Sequence, residues 1–197
     1  MYEIMQIVTD EVNNYLFSEG LLKAVQLDNI AVIDQEAGDT DNDMSDCVVL
    51  TMLNMDEEKV LKNFPNTRVV GDKVSYQNNK INLNLYILFS ANKSTYDLSL
   101  KYLSKVIEFF QGKRLFTQAN SNYDRGDSTM ELVTDFHFTV ELYTPTFEEL
   151  NYIWGTLGGK QYPSALYKLS MIEIERNVAQ MQSKVIDSTG ILTKRTN

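Results

Sequence analysis

His137 is the only histidine in 197 residues, so a serine or cysteine hydrolase built on this chain would have to use it as the base. It sits in an alternating run between Phe136 and Phe138, where it reads as a solvent-side or interface residue. A histidine-rich metal site is excluded by the count alone. Cys47 is the only cysteine; it heads an apolar run and reads as a small buried hydrophobe. Gly155-Thr156-Leu157-Gly158-Gly159-Lys160 has the texture of a phosphate loop. However, Trp154 stands at the first glycine position, Gln161 at the Ser/Thr position, and a helical pattern precedes the motif instead of following it. A helix C-cap followed by a turn accounts for it. Asp39-Thr40-Asp41-Asn42-Asp43 resembles the start of a calcium loop, but Met44 replaces the required glycine and Leu50 the closing glutamate. It reads as a solvated acidic loop. No pair of carboxylates has a spacing that marks acid/base work, so an enzyme reading rests on nothing positive, and no cofactor is expected.

The elements that would position these residues follow from hydrophobic period. Ile4, Ile7, Val8, Val12, Tyr15 and Leu16 recur at helical spacing, and Gly20 is a natural stop. A short strand is expected at Asn29–Ile33 and a loop at Asp34–Asp46. Cys47–Leu53 is a nearly continuous apolar run of strand length, suited to burial on both faces. Asn54–Thr67 reads as a polar connection with one helical turn. Ile81–Ser90 begins in strict alternation and ends apolar on both faces, a strand running into a sheet centre. Ser94-x-x-Asp97 matches a capping box before a helix carrying Tyr96, Leu100, Leu103, Ile107 and Phe110 on one face and ending at Gly112.

Glu131–Leu142 alternates as a strand with Leu132, Phe136, Phe138, Val140 and Leu142 inward. Thr146-x-x-Glu149 is a second capping box, opening a helix with Leu150, Ile153, Trp154 and Leu157 that ends at Gly158. Leu166–Ile174 alternates as a last strand, and the chain beyond Arg176 reads as a polar tail. The order predicts an α+β fold: a mainly antiparallel or mixed sheet with helices packed on one side. One domain is expected over residues 1–175, with a tail or arm over 176–197.

Composition narrows the function. Hydrophobic residues are 43% and charged residues 23%, ordinary for a globular chain that buries its own core without disulfides. No apolar run reaches bilayer-spanning length, and the N-terminus has neither a basic nor an apolar signal region, so folding in the cytoplasm without membrane insertion is expected. A net charge of −9 argues against nucleic acid. The charge is uneven. Ala24–Glu58 holds ten acidic residues and no basic one; Lys160–Asn197 holds six basic and three acidic. Such asymmetry suits contacts between copies. Tyr143, Tyr152, Trp154, Tyr162 and Tyr167 fall close together. Trp154 reads as core, whereas Tyr143, Tyr152 and Tyr162 fit an interface as well as a core.

The whole pattern resembles a known family. An N-terminal helix precedes Val48-Val49-Leu50-Thr51-Met52-Leu53; a polar link carries Leu61-Lys62-Asn63; Ile81-Asn82-Leu83-Asn84-Leu85-Tyr86-Ile87-Leu88-Phe89-Ser90-Ala91 leads into a helix. Phe136–Glu141, the helix Glu148–Leu157 and Tyr162–Leu169 follow. Over about residues 1–175 this is similar to the cap or tail-terminator proteins of extracellular contractile injection systems, the antifeeding-prophage type. Asn78-Asn79-Lys80 stands where that family commonly carries prolines. The resemblance implies a tail-terminator-like fold without catalysis or cofactor. It also implies a hexameric ring that closes the end of the tube and sheath, contacting the tube and sheath subunits. The particle, assembled in the cytoplasm, would then be released or anchored. Another structural part of such a particle, a baseplate adapter or tube subunit, is the alternative. Candidate interface residues are Lys62, Asn63, Tyr143, Tyr152, Tyr162, Arg176 and Lys184.

Overall fold

The computed structural model describes residues 1–33, 44–58, 67–70, 73–76, 81–126, 128–131, 133, 136–174 and 181–184. The first helix, α1 (Tyr2–Ser18), buries Ile7, Val8, Val12 and Leu16, with Ile4 and Tyr15 partly covered. That is the stripe its period predicts. Gly20 ends it at φ +73°, donating to Phe17 O, while Leu21 N donates to Leu16 O at 3.0 Å. A left-handed residue after the cap lets these two bonds satisfy orphan carbonyls of the last turn.

Next come β1 (Val25–Leu27), a 3-10 turn at Ile30–Val32 and β2 (Cys47–Glu57). The strand expected at Asn29–Ile33 is thus displaced: the strand lies at 25–27, and Asn29 caps the 3-10 turn by accepting from Ala31 N. Asn29 favours that role because its short amide competes with the backbone for hydrogen bonds. Asn13 of α1 holds β1 with two bonds to Val25, each 2.9 Å. Thr51 of β2 holds the turn, donating to Asp28 O at 2.7 Å and accepting from Ile30 N at 3.0 Å. β2 runs four residues beyond the expected end at Leu53, into the stretch read as a connection.

After β3 (Thr67–Val70) and β4 (Lys73–Tyr76) comes β5 (Ile81–Asn92), then α2 (Tyr96–Gly112), β6 (Leu115–Thr117), α3 (Ser128–Glu131), β7 (His137–Tyr143), α4 (Phe147–Thr156), β8 (Ser164–Ile174) and β9 (Met181–Lys184). β7 begins at His137, later than Glu131, because Ser128–Glu131 forms a helical turn. Six strands form one mixed sheet in the order β1-β2-β5-β8-β7-β6. β1 pairs parallel to β2, while β2–β5, β6–β7 and β7–β8 are antiparallel.

The α+β class with a mixed sheet is as predicted. One face of the sheet, with Val48, Leu50, Leu85, Ile87, Phe89, Phe116, Phe138 and Tyr167, is covered by α1 and α2. Phe116 and Phe138 stack at 5.0 Å. Each such side chain stabilises the fold by about 1.5–3 kcal/mol when fully buried. The alternate residues Cys47, Val49, Leu88 and Leu166 form a second cluster with Ile30 and Trp154 of α4. Helices therefore cover more than the one side expected. Of the run Cys47–Leu53 read as buried on both faces, Cys47–Thr51 is so buried, whereas Met52 is exposed and Leu53 half-buried where the strand bulges.

The buried side of α2 is rotated from the predicted stripe. Ser99, Tyr102, Leu103, Val106, Phe109 and Phe110 are buried, whereas Tyr96, Leu100 and Ile107 are exposed. The N-cap is Thr95, one residue later than the capping box predicted, and its side chain makes no capping bond. Ser94 is instead engaged by Asp46, whose Oδ1 accepts the Ser94 N–H at 2.8 Å.

The chain divides into two compact units, one of Met1–Glu57 and Leu83–Ile172, the other of Glu58–Asn82 and Glu173–Asn197. In the second, β3, β4 and β9 make a three-stranded antiparallel sheet, with Tyr76 opposite Met181 and Lys73 opposite Lys184. β9 lies inside the stretch read from sequence as a polar tail. Met181-Gln182-Ser183-Lys184 has one apolar residue, too few for a period of two to register.

Candidate functional site

The second capping box forms in full. Thr146 Oγ1 accepts from Glu149 N at 3.2 Å, and Glu149 Oε2 accepts from Thr146 N at 2.8 Å. At the other end, Gly158 has φ +101° and Gly159 N reaches Trp154 O at 2.7 Å. The glycine-rich stretch Gly155–Lys160 is therefore a helix end and turn, as its sequence suggested. Both termini being fixed, α4 holds Trp154 in the second core cluster, with Leu150 and Ile153 packed against that cluster and Phe147 and Tyr152 exposed.

Beside α4 lies a cleft of about 860 Å³. Its walls are Leu27, Asp28 and Asn29 before the 3-10 turn, the end of β2, and Tyr152, Ile153, Thr156 and Leu157 of α4. The register of β2 against β5 shifts between Met52 and Asn54, and the three residues of this bulge line the cleft. A bulge bends its strand and redirects side chains, which opens the floor here.

Tyr143 and Tyr152 meet at this cleft. Tyr143 is half-buried, with the Tyr86 ring edge-on at 5.6 Å. Its hydroxyl donates to Glu149 Oε1 at 3.1 Å. The Thr146 backbone N–H, and then the Tyr143 hydroxyl, hold the Glu149 carboxyl below the usual carboxylate range. The same carboxylate pushes the Tyr143 hydroxyl up. Tyr152 is 64% exposed and donates to Glu148 Oε1 at 3.3 Å.

Asp28, Asp56 and Glu149 supply three carboxylates to the lining, which includes no Lys, Arg or His among the described residues. The lining thus combines apolar side chains with three carboxylates. It suits a chain segment with apolar and cationic side chains.

The remaining predicted residues lie elsewhere. Tyr162 packs on Trp154 at 6.0 Å, under Lys160 Nζ at 5.4 Å, and belongs to the wall of the second core cluster. Lys184 ends β9. Lys62, Asn63 and Arg176 fall outside the described residues, as does the acidic stretch Asp39–Asp43. His137 is exposed at the start of β7, opposite Thr117, and Cys47 is buried, its thiol donating to Met44 O at 3.1 Å. Among the described residues no group of three His, Cys, Asp or Glu side chains could hold a metal ion, and no helix is long and apolar enough to cross a membrane.

Sequence reasoning missed Tyr86, Leu27 and the bulge as parts of one surface. Tyr86 alone carried a signal, being a tyrosine in a strand whose other large side chains are wholly apolar.

A helix capped at both ends, a two-faced sheet and an open aromatic cleft constitute a binding architecture. Compared with known protein families, residues 3–188 match the Pvc16 N-terminal domain. The chain belongs to that family.

No curated protein matches this Pvc16 N-terminal domain chain. Solved structures that resemble its fold include a terminator and a cap. One is described as the PVC sheath/tube terminator, in the extended state, of an extracellular contractile injection system; it aligns with TM-score 0.57 and 12% identity over 88% of this chain. The other is described as the anti-feeding prophage cap, the tube-terminating cap; it aligns with TM-score 0.59 and 13% identity over 94% of this chain. This Pvc16 N-terminal domain chain spans 57% and 60% of those two chains respectively. The α+β fold expected from the sequence is that of tube terminators.

Proposed function

We propose that this chain is a structural cap or terminator subunit of a contractile injection particle. Copies form a closed ring, a hexamer by the resemblance, on the last layer of inner tube and sheath, and so stop further polymerisation. The observation that carries this is the likeness, over nearly the whole chain, to a fold found in a sheath/tube terminator and in a tube-terminating cap. The site chemistry agrees with it: the described residues present an aromatic and acidic docking surface, with His137 exposed on one strand and Cys47 buried in another. The partners are other copies of the chain and the tube and sheath subunits, met without catalysis. The particle assembles in the cytoplasm and is then released or anchored. The polar stretch beyond Arg176, apart from β9, acts as an arm in the ring.

Light scattering on the purified chain, alone and with tube and sheath subunits, tests this. A discrete ring, or a ring that forms on tube ends and holds them at uniform length, is the expected result. Open stacks that lengthen with concentration would mark a tube subunit instead, and tubes of unrestrained length in its presence would end the terminator reading.

A further inference from the structure

Two parts of this chain have complementary chemistry, one seen in the fold and one, outside the described residues, read from the sequence. The first is the cleft beside α4, lined by the apolar Leu27, Ile153 and Leu157 and by the carboxylates of Asp28, Asp56 and Glu149. Two of those carboxylates, Asp28 and Asp56, come from the stretch Ala24–Glu58, which contains no basic residue. The second is the stretch 190–197, Gly-Ile-Leu-Thr-Lys-Arg-Thr-Asn. It contains two cations, two large aliphatic side chains and no acid. We propose that the cleft of one copy receives the Ile191–Arg195 segment of a neighbouring copy, resting on the ring assembly proposed above.

The chemistry matches in kind. Ile191 and Leu192 suit the apolar lining, and Lys194 and Arg195 suit the carboxylates. An extended stretch of five residues spans roughly 16 Å at about 3.3 Å per residue. A cleft of about 860 Å³ lies within the range that takes ligands of this size. Tyr143 and Tyr152 add aromatic area with hydroxyls already fixed by Glu149 and Glu148, so little side-chain freedom is lost on docking. Cleft and segment are different patches of the same chain. Contacts between them are head-to-tail, the kind that closes into a ring when the rotation per copy allows it. Charges of this sort set the association rate and its salt dependence.

The test uses a fluorescently labelled peptide of residues 190–197, titrated with the full-length chain and followed by anisotropy. A peptide of the same composition in scrambled order is the control. Saturable binding that weakens about tenfold for Asp56→Lys, and again with salt, is expected. Tyr152→Ser serves as a second cleft variant, with circular dichroism confirming that each variant is folded. In parallel, the Lys194→Glu, Arg195→Glu double variant of the full chain should lose ring mass in light scattering, and combining it with Asp56→Lys should restore part of it. Equal binding of the scrambled peptide, no binding, or binding unchanged in both cleft variants overturns the proposal even if rings form. Specific peptide binding by a chain that never forms a ring, alone or on tube ends, leaves the docking in place and overturns the ring.

Discussion

The Tyr143 hydroxyl is 3.1 Å from Glu149 Oε1, while the other oxygen of that carboxylate closes the N-terminal cap of α4. One side chain thus fixes both a helix start and an aromatic wall of the cleft. Its pKa is lowered first by the Thr146 backbone N–H and then by the Tyr143 hydroxyl. A carboxyl with a lowered folded pKa contributes stability that is fully present above its unfolded value, about 4.3, and is lost as pH falls through the folded value. The melting temperature of wild type should therefore exceed that of Glu149→Gln by a constant margin at neutral pH. The margin should shrink as pH falls below about 4.3. A margin independent of pH down to acid unfolding would show that the carboxylate's charge is not what matters. Thr146→Ala, which removes the reciprocal half of the cap, should cost about 1 kcal/mol in urea unfolding.

Glu11 of α1 is buried and pairs with Lys113 just beyond α2, its second oxygen accepting the backbone N–H of Asn122. Lys113 Nζ also donates to the Asn120 carbonyl and lies over the Phe116 ring, so the loss of Glu11 leaves it partly compensated. Glu11→Ala should therefore destabilise the fold by about 1.5–3 kcal/mol, the worth of hydrogen bonds to a charged group. The Glu11→Gln, Lys113→Met double variant should cost less than the sum of its single changes. Additive losses in a double-mutant cycle would deny the coupling.

Tyr167 has its ring in the main core, 4.5 Å from Phe110, and its hydroxyl is buried with no hydrogen-bond partner among the described residues. Burial pushes that hydroxyl up to about 12. A buried unsatisfied polar group costs about 1–3 kcal/mol. Tyr167→Phe should therefore leave stability unchanged or raise it. A clear loss of thermal stability would show that the hydroxyl is bonded in solution.

Gly20, at φ +73°, has open space where a Cβ would stand. The cost of a side chain there is conformational alone, about 1–2 kcal/mol for alanine and less for asparagine. Gly20→Ala should unfold at lower urea than wild type, with Gly20→Asn between them. If valine were tolerated as well as asparagine, the left-handed cap would not persist in solution.

Much of this fold was legible where a local signal and burial agreed. The α1 stripe, the Thr146–Glu149 cap, Gly158 and the two-sided burial of the first five residues of β2, Cys47–Thr51, are examples. The signal failed on α2 because apolar residues there occupy more than one stripe, and tertiary contacts chose the one through Tyr102 and Val106 over that through Leu100 and Ile107. It failed at Ser94 because a residue 48 positions earlier, Asp46, took the bond that a local cap would have used. Tyr143 and Tyr152 stand out in sequence as aromatics with polar handles. The cleft they share does not, since it depends on a bulge in β2 and on the 3-10 turn held by Thr51.

Both outermost strands of the six-stranded sheet, β1 and β6, are three residues long. So short a margin offers few free backbone groups on which another chain could template. Concentrated stocks of the protein should therefore resist seeding into cross-β fibres. In the proposed ring, association between copies would then fall to side-chain surfaces, whose geometry can stop at a fixed number, unlike a sheet edge, which has no built-in limit to growth.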